Sequence, residues 1–189
     1  VIDDNLKFIS MSDYLGLSGS LDKMNLNDLY PYFETIGIIN IRKNLKDRFI
    51  NHRESIILYG IDRKALNNTF SIEEFLISDN YNFEGKDIII GSELSRILNV
   101  NIDDSIALLV KNDVNEIVFD YFKIENVYNT GSKYDALIAF IPFKSAQNML
   151  TTDLIRHYST GLLYDDISFN QQEYINKYID IRNNFNFLN

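Results

Sequence analysis

Any chemistry in this chain would have to come from a small set of side chains. Two histidines, His52 and His157, lie about a hundred residues apart, and neither has a second His, Asp or Glu at metal-ligand spacing. A Ser–His–Asp set can be assembled from distant parts of the sequence. The Gly-x-Ser-x-Gly turn that would expose a nucleophilic serine is missing. The pairs Gly19-Ser20, Gly91-Ser92 and Gly131-Ser132 suit turns and helix caps instead. No Gly-x-x-x-x-Gly-Lys loop is present to cradle a phosphate. Paired acids occur at Glu73-Glu74, Asp103-Asp104 and Asp165-Asp166, without the alternating oxygen ligands of a calcium loop. Cysteine is absent, which removes thiol catalysis, disulfides and thiolate zinc sites. The residues therefore read as noncatalytic, with no cofactor and no metal expected.

Charge is more informative. The 189 residues carry a net −9, which argues against nucleic acid as the main partner. One stretch runs against that sign: residues 36–64 hold seven Lys and Arg against three acids. Arg42, Lys46, Arg48 and Arg53 could meet anionic lipid headgroups or an acidic partner, a solvated hairpin being the plain alternative. Aromatic content of 13% and hydrophobic content of 46% exclude a disordered chain and supply a core for one domain. No window reaches the length of a membrane span. The opening Val1-Ile2-Asp3-Asp4 has no initiator Met, so a piece of a longer protein is expected.

The elements that must position these residues follow from pattern. Asn5 to Met11 alternates partly and suits a strand. Asn25 or Asn27 can cap a short helix to about Phe33, interrupted by Pro31. Gly37–Ile41 and Ser55–Gly60 read as paired strands, with the basic residues around their connection. Residues 71–78 suit a short helix capped by Ser71. Asp87–Ile90 is an apolar strand, followed by a helix to Leu98 capped by Ser92. Asp104–Val110 and Glu116–Val127 form a hairpin through Lys111-Asn112-Asp113-Val114-Asn115. Ala136–Ile141 is a buried strand, and Pro142 opens a helix to Leu150. A strand from Ser159 to Tyr164 and a helix from Asn170 to about Arg182, with Tyr174, Ile175, Tyr178 and Ile181 on one face, complete an α+β chain.

Four segments, in order, resemble a known pattern. Ile57-Leu58-Tyr59-Gly60-Ile61-Asp62 is similar to an apolar-x-Gly-Ile-Asp step. Asp87 to Leu108 resembles a strand, Gly, short helix, then a tight turn ending in Asp and a second strand. Tyr128-Asn129-Thr130-Gly131-Ser132-Lys133-Tyr134-Asp135 is similar to Thr/Ser-Gly-x-x-Tyr-Asp. Ala139 to Leu150 resembles a strand end, Pro and helix with Ala-Gln. The set resembles the extracytoplasmic domains of ABC permeases of the lipoprotein-releasing (Lol) and MacB/FtsX kind, the Tyr-Asp step favouring the lipoprotein-releasing branch. The family's glycine before the turn Asp is Asp103 here, and Arg63 stands where Pro often follows Gly-Ile-Asp.

That resemblance implies a MacB-like periplasmic core. A porter-like α/β part would come from about residues 1–35 and 132–189, with a β-rich insertion at about 36–131. It implies a noncatalytic domain on the periplasmic side of the bacterial inner membrane, in a multi-pass permease. It further implies a cytoplasmic ATPase subunit, a second permease subunit, lipoprotein cargo and a periplasmic lipoprotein carrier. In the carrier-recruiting subunit of the family a long hook joins the two hairpin strands. Here Lys111, Asn112, Asp113 and Asn115 occupy that position in a short turn, and with the basic segment they are the candidate partner contacts. The alternative within the resemblance is a mechanotransmission domain without lipoprotein cargo. The surface is expected to be acidic and poor in apolar patches.

Overall fold

A computed structural model describes residues 9–22, 29–45, 48–154 and 157–164. The chain is α+β: helix α1 (Met11–Asp22), β1 (Leu29–Leu45), β2 (Arg48–Ile61), α2 (Arg63–Phe70), β3 (Asp87–Gly91), α3 (Ser92–Leu98), β4 (Ser105–Lys111), β5 (Ile117–Tyr128), β6 (Ile138–Pro142), α4 (Phe143–Leu150) and β7 (Gly161–Tyr164). Short 3₁₀ turns lie at Ile72–Phe75 and Lys133–Ala136. Among the described residues no helix is long and apolar enough to cross a membrane.

Six strands close on themselves. The order β2-β6-β3-β5-β4-β1 returns to its start because β1 also pairs with β2, so these strands form a ring with β7 added beside the start of β1. The long β1 makes this possible: Leu29–Tyr32 pair with β7, Phe33–Leu45 with β2, and Gly37–Asn40 also with β4 on the other side. Alternate residues turn to opposite faces of each strand. One set, including Ile39, Ile56, Leu58, Ile88, Leu108, Phe122 and Ile141, gathers into one core with Leu94 and Leu98 of α3 and Met149 and Leu150 of α4. Part of the opposite face, Ile61, Ile89, Tyr128 and Phe140, is covered by Leu66, Ile72, Tyr81 and Phe83 in a second core. At roughly 1.5–3 kcal/mol per fully buried large apolar side chain, these cores are the main source of stability.

Several elements depart from the pattern reading. Leu29–Phe33 is strand, not helix. Pro31 is tolerated because β2 pairing begins only at Phe33, so it has a strand neighbour on one side. The expected strand reaching Met11 keeps only a bridge from Ile9 to Ser159 among the described residues; Met11 opens α1, where Ser10 Oγ accepts from Asp13 N–H at 3.2 Å. Helix α2 has no counterpart in the pattern reading; Asp62 caps it through Ala65 N–H at 2.9 Å. The helix at 71–78 shrinks to the 3₁₀ turn, and Ser71, at φ 49°, makes no side-chain cap to it. Gly91, not Ser92, caps α3. The terminal strand starts at Gly161 rather than Ser159. The helix read over 170–182 lies outside the described residues, as do 1–8 and 165–189 of the porter-like part. The 35/36 division falls inside β1, and β2 pairs in parallel with β6.

The turn before β4 keeps the tight conformation that a glycine would ease. Asp103 sits at φ 72°, and its N–H donates to Ile124 O at 2.8 Å. Left-handed backbone costs a non-glycine residue about 1 kcal/mol, somewhat less for Asp. Asp103→Gly is expected to raise stability by about 0.5 kcal/mol, read as a higher urea midpoint with unchanged slope.

Candidate interaction face

The β4–β5 turn is short because its own side chains close it. Asn112 is buried, and its Oδ1 accepts from Val114 N–H at 3.2 Å and Glu116 N–H at 2.8 Å. Its backbone N–H donates to Glu116 O at 2.9 Å, and Asn115 takes the left-handed position at φ 65°. Asn112 therefore faces inward and holds the turn's backbone. Lys111 and Asn115 are exposed.

Asp113 ties this turn to the end of α4. Its N–H donates to Leu150 O at 2.9 Å. Its side chain has no solvent exposure, and Oδ2 accepts from Thr152 N–H at 2.9 Å and Thr152 Oγ1 at 3.1 Å, with His157 Nδ1 at 2.6 Å. Burial alone would raise this carboxyl. The Thr152 N–H, the His157 ring and the Thr152 hydroxyl outweigh it, and the group ends below the usual carboxylate range. So His157 does have an acidic partner, one that sequence spacing did not reveal because it lies on another element. An Asp–His couple is part of a hydrolytic triad, yet this one binds two chain segments together. His52 is exposed on β2.

The basic segment is the β1–β2 hairpin. Arg42 pairs with Asn51 and Arg48 with Leu45 along its backbone ladder; Lys46 lies outside the described residues. Arg53 is exposed, opposite Asn40. Because β1 also pairs with β4, this hairpin and the β4–β5 turn share one wall of the ring. Ser55, Ile38, Leu109 and Phe119 stand in register across β2, β1, β4 and β5, and Arg53, Asn40, Ala107 and Tyr121 form the next row. Two candidate surfaces far apart in sequence are thus one face.

That face is apolar at its centre, contrary to the patch-poor surface expected. Ile36 is 63% exposed, Ile117 76%, Phe119 62% and Tyr121 61%, and Phe119 packs edge-on to Tyr121 at 6.1 Å. The signal was in β5 itself, where Ile117, Phe119 and Tyr121 alternate with Val118, Asp120 and Phe122. Pattern shows which residues share a face, but not that no other described element covers it. Neither row contains an acid, and Arg53 and Lys111 are cationic; Glu116 lies beyond, at the turn. Among the described residues, no group of three His, Cys, Asp or Glu side chains is placed to hold a metal ion.

Known proteins now bear on this geometry. No family model matches the chain. It is 35% identical over 158 residues to the lipoprotein-releasing system transmembrane protein LolC of Buchnera aphidicola subsp. Schizaphis graminum, an alignment covering 72% of this chain and 37% of that protein. The chain is related to the permeases of lipoprotein-releasing systems. It spans little more than a third of that relative's length. A solved domain assigned to a permease of Porphyromonas gingivalis superposes with a TM-score of 0.49 at 9% identity, covering 89% of this chain and 75% of its own. The resemblance read from the four ordered segments agrees with the LolC match. Its tight turn survives with Asp103 in place of glycine. Its Tyr-Asp step is a built structure: Asp135 is buried and accepts from Thr130 N–H at 3.1 Å, Thr130 Oγ1 at 2.5 Å and Gly131 N–H at 3.0 Å.

Proposed function

We propose that this chain is the extracytoplasmic domain of an ABC permease that moves lipoproteins out of the bacterial inner membrane and passes them to a periplasmic carrier. The observation that carries the proposal is the 35% identity to LolC over 158 residues. On this reading the domain works beside a second permease subunit and is driven by a cytoplasmic ATPase. Its role is mechanical, which requires different contacts in two states rather than a reacting side chain. The partner surface is the face just described, with exposed Lys111, Asn115 and Arg53 around Phe119 and Tyr121; Arg42, Lys46 and Arg48 are proposed as further contacts. Asn112 and Asp113 shape that surface from within.

The test is transport. The full-length permease, reconstituted with its ATPase and a lipoprotein in vesicles, is expected to release that lipoprotein to a soluble carrier only when ATP is added. ATP hydrolysis with no release would overturn the reading in favour of a mechanotransmission domain without lipoprotein cargo. One observation favours that second reading: the hook position holds a closed turn, with Asn112 bonded across it to Glu116.

A further inference from the structure

Strands β1 and β2 run on past the other strands of the ring. β1 pairs with β4 only as far as Asn40, and β2 pairs with β6 only from Ile57. Their register with each other continues through Arg42 with Asn51, Lys43 with Ile50, Asn44 with Phe49 and Leu45 with Arg48. Among the described strands these four rows have no neighbour on either outer side. They form a two-stranded arm roughly 13 Å long, rooted at Ile41 in the first core. A two-stranded ribbon is marginal by itself in water, and bare strand edges invite a partner. Residues 42–51 hold Arg42, Lys43, Lys46 and Arg48 against Asp47 alone, in a chain of net −9.

The arm's direction limits what can occupy it. The described segments nearest the two ends of the chain meet at the Ile9–Ser159 bridge, and Thr160 N–H donates to Tyr32 O at 2.9 Å. Both therefore lie beside the start of β1, where Leu29–Tyr32 also pair with β7. From Tyr32 to Leu45 is roughly 40 Å of continuous strand. On the reading proposed above, the chain joins its membrane-spanning part through those ends, so the arm points away from the bilayer and a lipid surface lies behind it. A second copy held in the same membrane would point its own arm the same way, cation against cation. We propose that the β1–β2 arm docks the acidic surface of a soluble protein partner, at the end of the domain remote from the membrane. Its cations steer the encounter and set the orientation of the docked partner.

This rests on the domain belonging to a membrane permease and needs no lipoprotein cargo. The chain has no cysteine, so Asn44→Cys carries a single fluorophore on the arm. In the 189-residue chain, decaglutamate is expected to shift its emission to saturation, and decalysine is not. Lys43→Glu combined with Arg48→Glu is expected to weaken decaglutamate binding about tenfold. Arg48→Glu alone is expected to weaken it several-fold. Lys64→Glu, the same charge change past the opposite end of β2, is expected to leave it unchanged. An unchanged thermal midpoint shows that the loss is local; the two glutamine substitutions serve if the reversed arm does not fold. No saturable binding of decaglutamate, or an equal loss in Lys64→Glu, would overturn the arm as a dock and leave the transport test standing. In the full-length permease, in vesicles of phosphatidylglycerol, the fluorophore is expected to escape quenching by nitroxide-labelled lipid. Strong quenching would overturn the soluble partner and assign the arm to the membrane. Energy transfer between labelled copies that the double reversal abolishes would overturn it in favour of a second copy.

Discussion

Gly91→Ala is expected to lower the thermal midpoint on the order of 10 °C, with a loss of about 3 kcal/mol. Gly91 ends β3 and caps α3 with ordinary extended backbone, φ −74° and ψ 153°, so no special conformation is at stake. What matters is proximity. A Cβ there would lie 2.1 Å from Asp135 O and 2.5 Å from Asp135 Cα, and both atoms are backbone. Neither can move without displacing the turn that holds Asp135 buried against Thr130 and Gly131. The Tyr128 hydroxyl, which donates to Tyr134 O at 3.2 Å and Ile138 O at 3.0 Å, would lose its setting as well. Differential scanning calorimetry reads the loss directly. A midpoint within 2 °C of the parent, about what a change under 1 kcal/mol produces, would show that the two backbones are not in contact.

Asp113→Ala is expected to cost about 2–4 kcal/mol. Its side chain is fully buried, and removing it leaves Thr152 N–H and the Thr152 hydroxyl without their acceptor. Asp113→Asn keeps an acceptor but loses the charge opposite His157, and should cost less than the alanine. The sign of the pH dependence follows from the lowered carboxyl. Its stabilisation is complete above the ordinary aspartate value of 3.8 and is lost as pH falls through the lower folded-state value. The stability gap between parent and Asp113→Ala should therefore narrow as pH falls below about 4. Urea titrations across that range check it. A gap that is constant down to pH 2 would mean that the ionised carboxylate is not what holds the turn.

The legible part of this fold was the stretch whose punctuation agrees with its periodicity. Asp87–Gly91, the helix after it, the β4–β5 hairpin and the Pro142 helix entry each combine an apolar run with a turn or cap residue, and each appears close to where pattern puts it. The misses have physical causes. Leu29–Phe33 carries Pro31 and asparagines nearby, and only tertiary pairing with β7 makes it a strand. Helix α2 is short and holds Asn67, Asn68 and Thr69, so its signal rests on the Asp62 cap alone. For the candidate site, sequence located the turn and the basic hairpin separately. That β1 joins both is a long-range pairing with no local signature. The inward roles of Asn112 and Asp113 were illegible for the same reason: Thr152 and His157, which fix Asp113, lie on another element.

The closed ring also dictates an order of assembly. Hairpins β1–β2 and β4–β5 can form from neighbouring chain, but the parallel pair of Ile57 with Ile138 requires everything between them to be made first. Loop closure of that length makes the final pairing slow, and β2 must wait with one side bare while the rest of the chain emerges. The molecule's vulnerable moment is thus not the native state but the interval before β6 arrives.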